Sequence, residues 1–176
     1  MPIKLEFTDD QYPFEGFTHT RKVARAVALD ENGNVAIHLI VRHDVFCGQT
    51  YYETPGGGVD EGETFEEAVV RECDEELGCV VEVGEYLGEV VDAYNLIKRK
   101  NINHYFLVYI KERKQKHFAS LGDLMITETR YVPIDEAIRL YENLEDTQVA
   151  KLVKQRELPI LKEAKRVLEM KAKQKQ

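Results

Sequence analysis

Short runs of alternating apolar and polar residues in the first third of the chain predict strands joined by turns. Lys22 to Leu29 alternates, and Asn34 to Val41 is denser in apolar residues. The dipeptide Asn32-Gly33 between them suits the positive φ angles of a hairpin turn. A further extended piece, Tyr51 to Thr54, ends at Pro55, whose ring favours extended geometry in the residue before it. This part of the chain therefore predicts a hairpin followed by a short strand.

After the glycine-rich stretch, the spacing of apolar residues changes to the period of an α-helix. Thr64 and Glu67 form a capping-box pair, and Gly78 stands where a C-terminal glycine ends a helix. The spacing predicts a helix over Phe65 to Leu77, with one apolar stripe made by residues 65, 69, 73 and 77.

The second half of the chain predicts more strands and then helices. Residues 111–124 carry charge without a period and indicate a loop, and residues 134–143 are helical. The predicted strands are Val80 to Val83, Tyr86 to Val91, His104 to Ile110 and the segment ITETRYVP. This order predicts an α/β fold, with a mixed β-sheet and flanking helices.

The C-terminal region predicts a helix or a pair of helices from about Asp146 to Met170. Pro159 is placed at the first turn of a second segment, and the final KAKQKQ is expected to fray. A surface helix with one apolar stripe is favoured over a partner-binding helix. Since 176 residues suit one domain, we expect a domain over 1–145 and, packed on it, a helical extension over 146–176.

Charge and cysteine content narrow the class of protein. The net charge of −8 argues against a general nucleic-acid surface, which would need to be basic. Cys47, Cys73 and Cys79 lack metal-site spacing and are interpreted as reduced core residues. The N-terminal MPIKLEFTDD has no apolar signal region, and no apolar run is long enough for a membrane span. We expect a soluble, cytoplasmic protein.

Candidate chemistry is concentrated on the helix predicted over Phe65 to Leu77. Glu72, Glu75 and Glu76 lie at i, i+3 and i+4, on an arc that adjoins the apolar stripe. Carboxylates crowded beside a core favour a hard counter-cation such as Mg²⁺, Ca²⁺ or Mn²⁺. Arg71 can orient one of these carboxylates through its guanidinium fork. By contrast, Glu66 and Asp74 point away, towards solvent.

Gly56, Gly57 and Gly58 precede this helix and allow the backbone to approach a ligand closely. An ordinary tight turn explains a glycine triplet taken alone. Combined with the acidic helix, the triplet predicts a backbone carbonyl that joins the carboxylates on the metal.

From Gly57 the chain reads G-x5-E-x7-R-E-U-x-E-E-x-G-U, where U is an apolar residue. This pattern resembles the Nudix box of the Nudix hydrolases, and every polar position is filled. The U positions are cysteine (Cys73 and Cys79) instead of the usual aliphatic residues, which affects packing more than chemistry. The order of elements is compatible with the α/β/α sandwich of the family.

The resemblance implies hydrolysis of a nucleoside diphosphate linked to a moiety X. It implies metal ligation by Glu72, Glu75 and Glu76 with a backbone carbonyl near Gly57, and support from Glu63 and Arg71. The implied cofactor is Mg²⁺, with Mn²⁺ as the alternative. Bridging divalent ions would let a polyanionic pyrophosphate enter an acidic site. The implied partner is a small nucleotide; many members are dimers, which leaves a homodimer open.

Residues outside the box are less constrained. Family members often place an extra acid on a late loop; Glu112, Asp123 and Glu128 are candidates, and Glu128 is favoured. Gly57 and Gly58 with Tyr51 and Tyr94 are the proposed substrate contacts. The aromatic residues considered for stacking on a base are Phe46, Tyr51, Tyr52, Tyr94 and Tyr105. His38 and His104 lie inside strand patterns and are interpreted as structural.

Two other functions stay open at the level of sequence. A Nudix-fold domain could bind a nucleotide or a protein without turnover, but it would have no need for all three glutamates. A diphosphate isomerase on the same fold has no specific support. We therefore expect a divalent-metal-dependent pyrophosphohydrolase.

Overall fold

The computed structural model describes residues 1–118 and 122–176. Its strands are β1 (Ile3–Glu6), β2 (His19–Leu29), β3 (Val35–Asp44), β4 (Cys47–Glu53), β5 (Gly56–Gly58), β6 (Cys79–Tyr94), β7 (Arg99–Arg113) and β8 (Ile126–Val132). Its helices are α1 (Phe65–Leu77), α2 (Ile134–Glu142) and α3 (Gln148–Gln174), with short 3-10 turns at Asn95–Ile97 and Gly122–Met125. These elements form a mixed α/β fold, as the sequence predicted.

The strands form one mixed sheet in the order β1-β6-β7-β2-β3-β4, with β5 paired to β2 and β8 paired to β3. The β1–β6 and β2–β7 pairs are parallel, and the other pairs are antiparallel. The β2–β3 hairpin pairs only at Leu29 and Val35. Beyond that point β2 pairs with β5 over Val23–Arg25. Because the two strands diverge there, the sheet opens in its middle.

Helices cover both faces of the sheet. Val69, Cys73 and Leu77 of α1 pack on the alanine-rich face of β2, which includes Ala24 and Ala26. On the opposite face, α2 and α3 enclose a larger core with β2, β3 and β7. Small alanines let α1 approach the sheet closely, and this brings its polar edge to the opening between β2 and β3.

Of the two alternatives for the C-terminal region, the single helix is confirmed, and the expectation that KAKQKQ frays is wrong. Pro159 lies inside one continuous helix instead of starting a second one, and the helix extends into the final segment as far as Gln174. An internal proline costs a helix about 3 kcal/mol. The burial of Ile160, Leu161 and Ala164 immediately after it offsets that cost.

Several strand boundaries also differ from the expectation. The two strands predicted between Val80 and Val91 are one strand, β6, with register shifts against β7. The predicted loop over 111–124 begins later, since β7 continues to Arg113; residues 119–121 of that segment lie outside the described residues. The four-residue strand β1 was missed because a short edge strand carries little pattern of its own.

The cysteine interpretation is correct for two residues and wrong for one. Cys73 and Cys79 are buried free thiols, and burial raises the pKa of both. Cys47 is also free but exposed, because it begins β4 at the tip of the β3–β4 hairpin. Within the described part of the chain, no helix is long and apolar enough to cross a membrane.

Candidate active site

Helix α1 begins and ends as its sequence dictates. The Thr64 side chain accepts a hydrogen bond from the Glu67 N–H at 3.0 Å, and the Glu67 side chain returns the capping-box contact to the Thr64 N–H. Gly78 ends the helix in the left-handed region, with φ 63° and ψ 41°. These two caps fix the rotation of α1, so that Glu72 and Glu76 are buried beside the sheet while Glu66 is exposed.

Strand β5 lies against the acidic edge of α1 with no side chain between them. A Cβ built on Gly57 would lie 2.5 Å from Glu72 Oε1, closer than any real contact. The Gly56 N–H donates to Glu76 Oε1 at 2.8 Å. The glycines therefore provide the close approach that the sequence predicted, but the atoms that approach are carboxylates of the protein.

Three carboxylates meet at this point. Oxygen atoms of Glu72, Glu76 and Asp123 all lie within 4.8 Å of one another, and all three residues are buried. Burial, followed by the charge of Glu76, raises the pKa of Glu72 to about 7. Burial also raises the pKa of Glu76, and the contact with Asp123 adds to that effect. Burial and mutual repulsion therefore disfavour the ionised forms of these crowded carboxyl groups.

Arg71 connects this cluster to the loop before the helix. Its Nε and one terminal nitrogen donate to the Glu63 carboxylate at 2.8 and 2.9 Å. Further N–H groups donate to Glu72 Oε1 at 3.0 Å and to the Gly58 carbonyl at 2.9 Å. The Glu63 hydrogen bonds, the largest cause, raise the pKa of Arg71. The guanidinium fork therefore orients Glu72 as the sequence suggested.

Glu75, the third acid that the resemblance implied as a ligand, lies apart from the cluster. Its carboxylate accepts only long hydrogen bonds from Arg71, at 3.4 and 3.5 Å. It nevertheless lines the same cavity. Among the described acids, Asp123 takes the third position in the cluster instead.

His38 supports the cluster from β3. It is 2% exposed, and burial lowers its pKa to about 4, so the imidazole is neutral at physiological pH. As a neutral ring it donates from Nε2 to Glu76 Oε1 at 3.3 Å, and Nδ1 accepts from the Thr129 hydroxyl at 2.9 Å. The sequence interpretation of His38 as a structural residue did not include these contacts, which depend on the packing of α1 against the sheet and on the pairing of β3 with β8.

The cluster opens into a cavity of about 540 Å³ at the divergence of β2 and β3. Its walls are acidic on the α1 side and rich in arginine on the sheet side. Ile40, Met125 and Ile126 give it one apolar patch. The charged and amide side chains around it are Arg21, Arg25, Arg42, Glu53, Asp60, Arg71, Glu72, Glu75, Glu76, Arg99, Asn101, Asn103, Asp123 and Arg156.

The structure does not present the predicted aromatics as free stacking faces. Tyr51 and Tyr94 line the cavity but are buried, and their hydroxyls accept from Arg42 and Arg156 at 3.1 Å each. The other three aromatics considered are engaged elsewhere. Phe46 and Tyr105 are core residues, and the Tyr52 ring packs at a tilt against that of Tyr141, with 6.5 Å between ring centroids. Gly58 lines the cavity beside Arg21.

The preference for Glu128 as the extra acid is not supported by its position. Its side chain is 50% exposed, pairs with Arg130 at 3.0 Å, and is not among the described residues that line the cavity. Glu112 is exposed near the end of β7. Asp123, the third candidate, is the one that reaches the cluster. Sequence could not separate the three because each lies on a different element, β7, the 3-10 turn or β8, and their packing decides which acid points inward.

A buried ionic network beneath the cavity was not foreseen from the sequence. Arg156 is 2% exposed and donates to Asp92 at 3.1 Å and to Glu53 at 3.0 Å. Its neighbour Glu157 is fully buried and accepts from the Thr54 N–H at 2.8 Å. Two more donors to Glu157 are the hydroxyls of Tyr105 and Tyr141, at 2.7 and 2.8 Å. The sequence contained one indication of this burial, because Arg156 and Glu157 both fall within the apolar stripe of α3.

The cluster has the properties of a divalent-cation site. Its ligand set is all oxygen, which suits Mg²⁺ or Mn²⁺. Because Gly57 has no side chain, the backbone of β5 lies directly against the Glu72 carboxylate. The residues present therefore fit such an ion.

The chain resembles known proteins both as a member of a family and through individual relatives. The family model described as "NUDIX domain" matches residues 19–153. An RNA pyrophosphohydrolase from Sulfurovum sp. (strain NBC37-1) is 33% identical over 94 residues, covering 48% of this chain and 60% of that protein. The chain thus matches about 60% of the length of this curated relative.

Solved structures share the fold at lower identity. The MutT protein from Methanosarcina mazei Go1 has a TM-score of 0.60 at 18% identity, covering 88% of this chain and 97% of that chain. The E. coli ORF135 protein has a TM-score of 0.59 at 19% identity, covering 84% and 90% respectively. A C. elegans Ap4A hydrolase has a TM-score of 0.55 at 16% identity, covering 85% and 98%. These three structures establish the shared architecture.

Proposed function

The chain belongs to the Nudix family, and from that premise we propose that it is a divalent-metal-dependent hydrolase of nucleoside diphosphates linked to a moiety X. One observation carries the proposal: the carboxylates of Glu72, Glu76 and Asp123 converge within 4.8 Å at the wall of a 540 Å³ cavity. A binding domain without turnover would have no use for so costly a group of buried like charges.

Glu72, Glu76 and Asp123 would hold the ion, Mg²⁺ or Mn²⁺, next to the backbone of Gly57. An ion in such a ligand set supplies neutralisation of phosphate charge and Lewis-acid stabilisation of the leaving oxygen. Arg71 and Glu63 would fix the direction of the Glu72 carboxylate, and His38 that of Glu76.

Glu75 is proposed as the proton acceptor for the attacking water. It lines the cavity and is more exposed than its two helical neighbours, with a side-chain exposure of 14% against 8% for Glu72 and 5% for Glu76. Arg71 holds its carboxylate only loosely, so both oxygens stay accessible to water.

The nucleobase would occupy the apolar patch of Ile40, Met125 and Ile126, since the predicted tyrosines are engaged with arginines. The names of relatives agree on the reaction class: one is a pyrophosphohydrolase and another an Ap4A hydrolase. The net charge of −8 favours a small nucleotide over a general nucleic-acid surface.

The test is a substrate panel assayed with Mg²⁺ and product separation. The panel contains nucleoside diphosphate sugars, dinucleoside polyphosphates, nucleoside triphosphates and a 5′-triphosphorylated oligonucleotide, the last because of the Sulfurovum relative. The proposal expects release of a nucleoside monophosphate from a small substrate, and loss of that release in Glu76→Gln. Absence of product from every small nucleotide at high enzyme concentration would contradict it, as would equal turnover by the variant.

A further inference from the structure

We propose that Arg21 and Arg99 form a second anion site in the cavity, which binds a substrate phosphate other than the two that share the scissile bond. The inference rests on the proposed function and narrows its substrate class. The substrate would carry at least three phosphate groups, either in one chain or with one of them on the moiety X.

Charge pairing within the cavity distinguishes these two arginines from the other four. Arg25 pairs with Glu53, Arg42 with Asp44, Arg71 with Glu63, and Arg156 with Asp92. Arg21 and Arg99 make no ion pair within the described residues. Buried Nε of Arg99 also has no hydrogen-bond acceptor there. Two guanidiniums without carboxylates in a substrate cavity are an arrangement that an anion completes.

The two side chains share one face of the sheet. In the parallel β2–β7 pair, Arg21 lies opposite Asn101, and Arg99 precedes Asn101 by two residues on the same strand. The Arg99 guanidinium lies 5.0 Å from the centre of the Tyr94 ring. The ring supports the flat face of the guanidinium and leaves its N–H edge free for a ligand.

Nearby carboxylates do not neutralise the pair, because they are already engaged. Both Asp92 and Glu53 accept hydrogen bonds from Arg156. Burial, and then repulsion from Arg99, lower the pKa of Arg21, and burial lowers the pKa of Arg99. Arginine nevertheless stays charged at neutral pH. The pair therefore carries two positive charges in a half-buried position, and neither is in an ion pair with a described residue.

Asn101 adds a hydrogen-bond acceptor next to the two arginine donors. It is 2% exposed, lines the cavity and donates from Nδ2 to Asp92 at 3.1 Å. This contact fixes the orientation of the amide, since a carboxylate can only accept. The remaining Oδ1 is buried and has no hydrogen-bond partner among the residues that the structure describes. The second site thus offers guanidinium donors together with one acceptor for a hydroxyl of the ligand.

One substrate can reach both sites. A Cβ built on Gly58 would lie 3.3 Å from Arg21 Nε, while one on the preceding Gly57 would lie 2.5 Å from Glu72 Oε1. Consecutive Cα atoms are about 3.8 Å apart, which keeps these two side-chain atoms within about 13 Å of each other. The arginines are therefore close enough to hold a phosphate of a molecule whose anhydride bond lies at the carboxylate cluster.

The first experiment is calorimetric titration of inorganic tripolyphosphate into the metal-free protein. It needs no turnover, so it stays informative if the hydrolase proposal fails. Losing a hydrogen-bonded charge should weaken binding about 10- to 100-fold in Arg21→Gln and in Arg99→Gln. The affinity of Arg21→Lys for tripolyphosphate should fall between that of the two glutamine variants and that of the wild type.

The matched control is Lys22→Gln, a substitution of an exposed residue on the opposite face of β2. Equal affinity in wild type and both glutamine variants, at unchanged melting temperature, would overturn the proposal.

The second experiment compares kcat/KM for a nucleoside triphosphate, a nucleoside diphosphate sugar, and the same sugar nucleotide with a phosphate on its sugar. Arg21→Gln and Arg99→Gln should reduce kcat/KM about 10- to 100-fold for the substrate class that uses the site, with most of the change in KM. The unphosphorylated sugar nucleotide should change less than about threefold. Loss on the triphosphate places the extra phosphate in the chain, and loss on the phosphorylated sugar places it on X. Equal loss on all three substrates would contradict the second site.

Discussion

The Glu72 carboxylate occupies the space that a side chain at position 57 would need, since a Cβ on Gly57 would lie 2.5 Å from Glu72 Oε1. The glycine therefore determines how deeply an acid of α1 reaches towards the opening in the sheet. It also links the backbone of β5 to the carboxylate cluster without an intervening group. The geometry of the candidate site depends on this contact.

Gly57→Ala is expected to displace the Glu72 carboxylate. Overpacking of this kind costs about 1–3 kcal/mol of stability, and we expect kcat/KM to fall at least about tenfold because the ligand set is distorted. Gly48→Ala is the matched control, because its Cβ would meet only the mobile end of the His43 side chain. Steady-state kinetics and thermal melting check this. A Gly57→Ala variant as active as Gly48→Ala would contradict the assigned contact.

Arg71→Lys retains a positive charge and removes the fork. A lysine cannot contact Glu63, Glu72 and the Gly58 carbonyl together. Loss of such orienting contacts typically weakens metal affinity about 10- to 100-fold. Mn²⁺ titration followed by electron paramagnetic resonance measures this, with Arg113→Lys at the exposed C-terminal end of β7 as the control. Undiminished Mn²⁺ affinity in Arg71→Lys would show that the fork does not orient the ligand.

The pH dependence of stability should reveal the crowded carboxylates. The pKa of Glu72 is raised from 4.5 to about 7 in the folded protein, so between these pH values the folded state binds more protons than the unfolded state. This stabilisation is fully present below pH 4.5 and is lost as pH rises through 7. Without metal, the melting temperature of the wild type should therefore decline more steeply between pH 5 and about 8 than that of Glu72→Gln. Parallel curves for the two proteins would contradict the raised pKa.

The buried network under the cavity should dominate the stability of the C-terminal helix. Arg156→Met leaves Asp92, Glu53 and Glu157 without their shared cation, a loss that typically costs about 3–5 kcal/mol. Arg166→Met on the exposed side of the same helix should cost about 1 kcal/mol or less. Urea unfolding measures both. If the two variants unfold at the same urea concentration, the network does not contribute as described.

Local sequence determined the parts of the site that depend on nearest neighbours. The cap residues Thr64, Glu67 and Gly78 bound α1 at the predicted positions. Spacing along one helix placed Glu72 and Glu76 beside the core, and the glycine triplet predicted a close approach. These features follow from rules that act within a few residues.

The rest of the site required contacts between distant segments. Asp123 and Glu128 are equivalent acids in sequence, but Asp123 lies in the 3-10 turn before β8 and is buried, whereas Glu128 lies on β8 and is half exposed. Arg21 and Arg99 are 78 positions apart and become neighbours through the parallel β2–β7 register. The burial of Arg156 was not foreseen, because its partners come from β4 and β6, far from it in the chain. Only its place in the apolar stripe of α3 hinted at burial.

The most direct test of the metal cluster is Mn²⁺ titration of the wild type and three matched variants. We expect the wild type to bind Mn²⁺ at one site. The Mn²⁺ affinity of Glu76→Gln and of Asp123→Asn should be at least about tenfold weaker, because each substitution removes a charged ligand. Glu128→Gln removes an equivalent charge outside the cavity and should bind like the wild type. A wild-type protein that binds no Mn²⁺, or a loss of affinity in Glu128→Gln with none in Asp123→Asn, would contradict it.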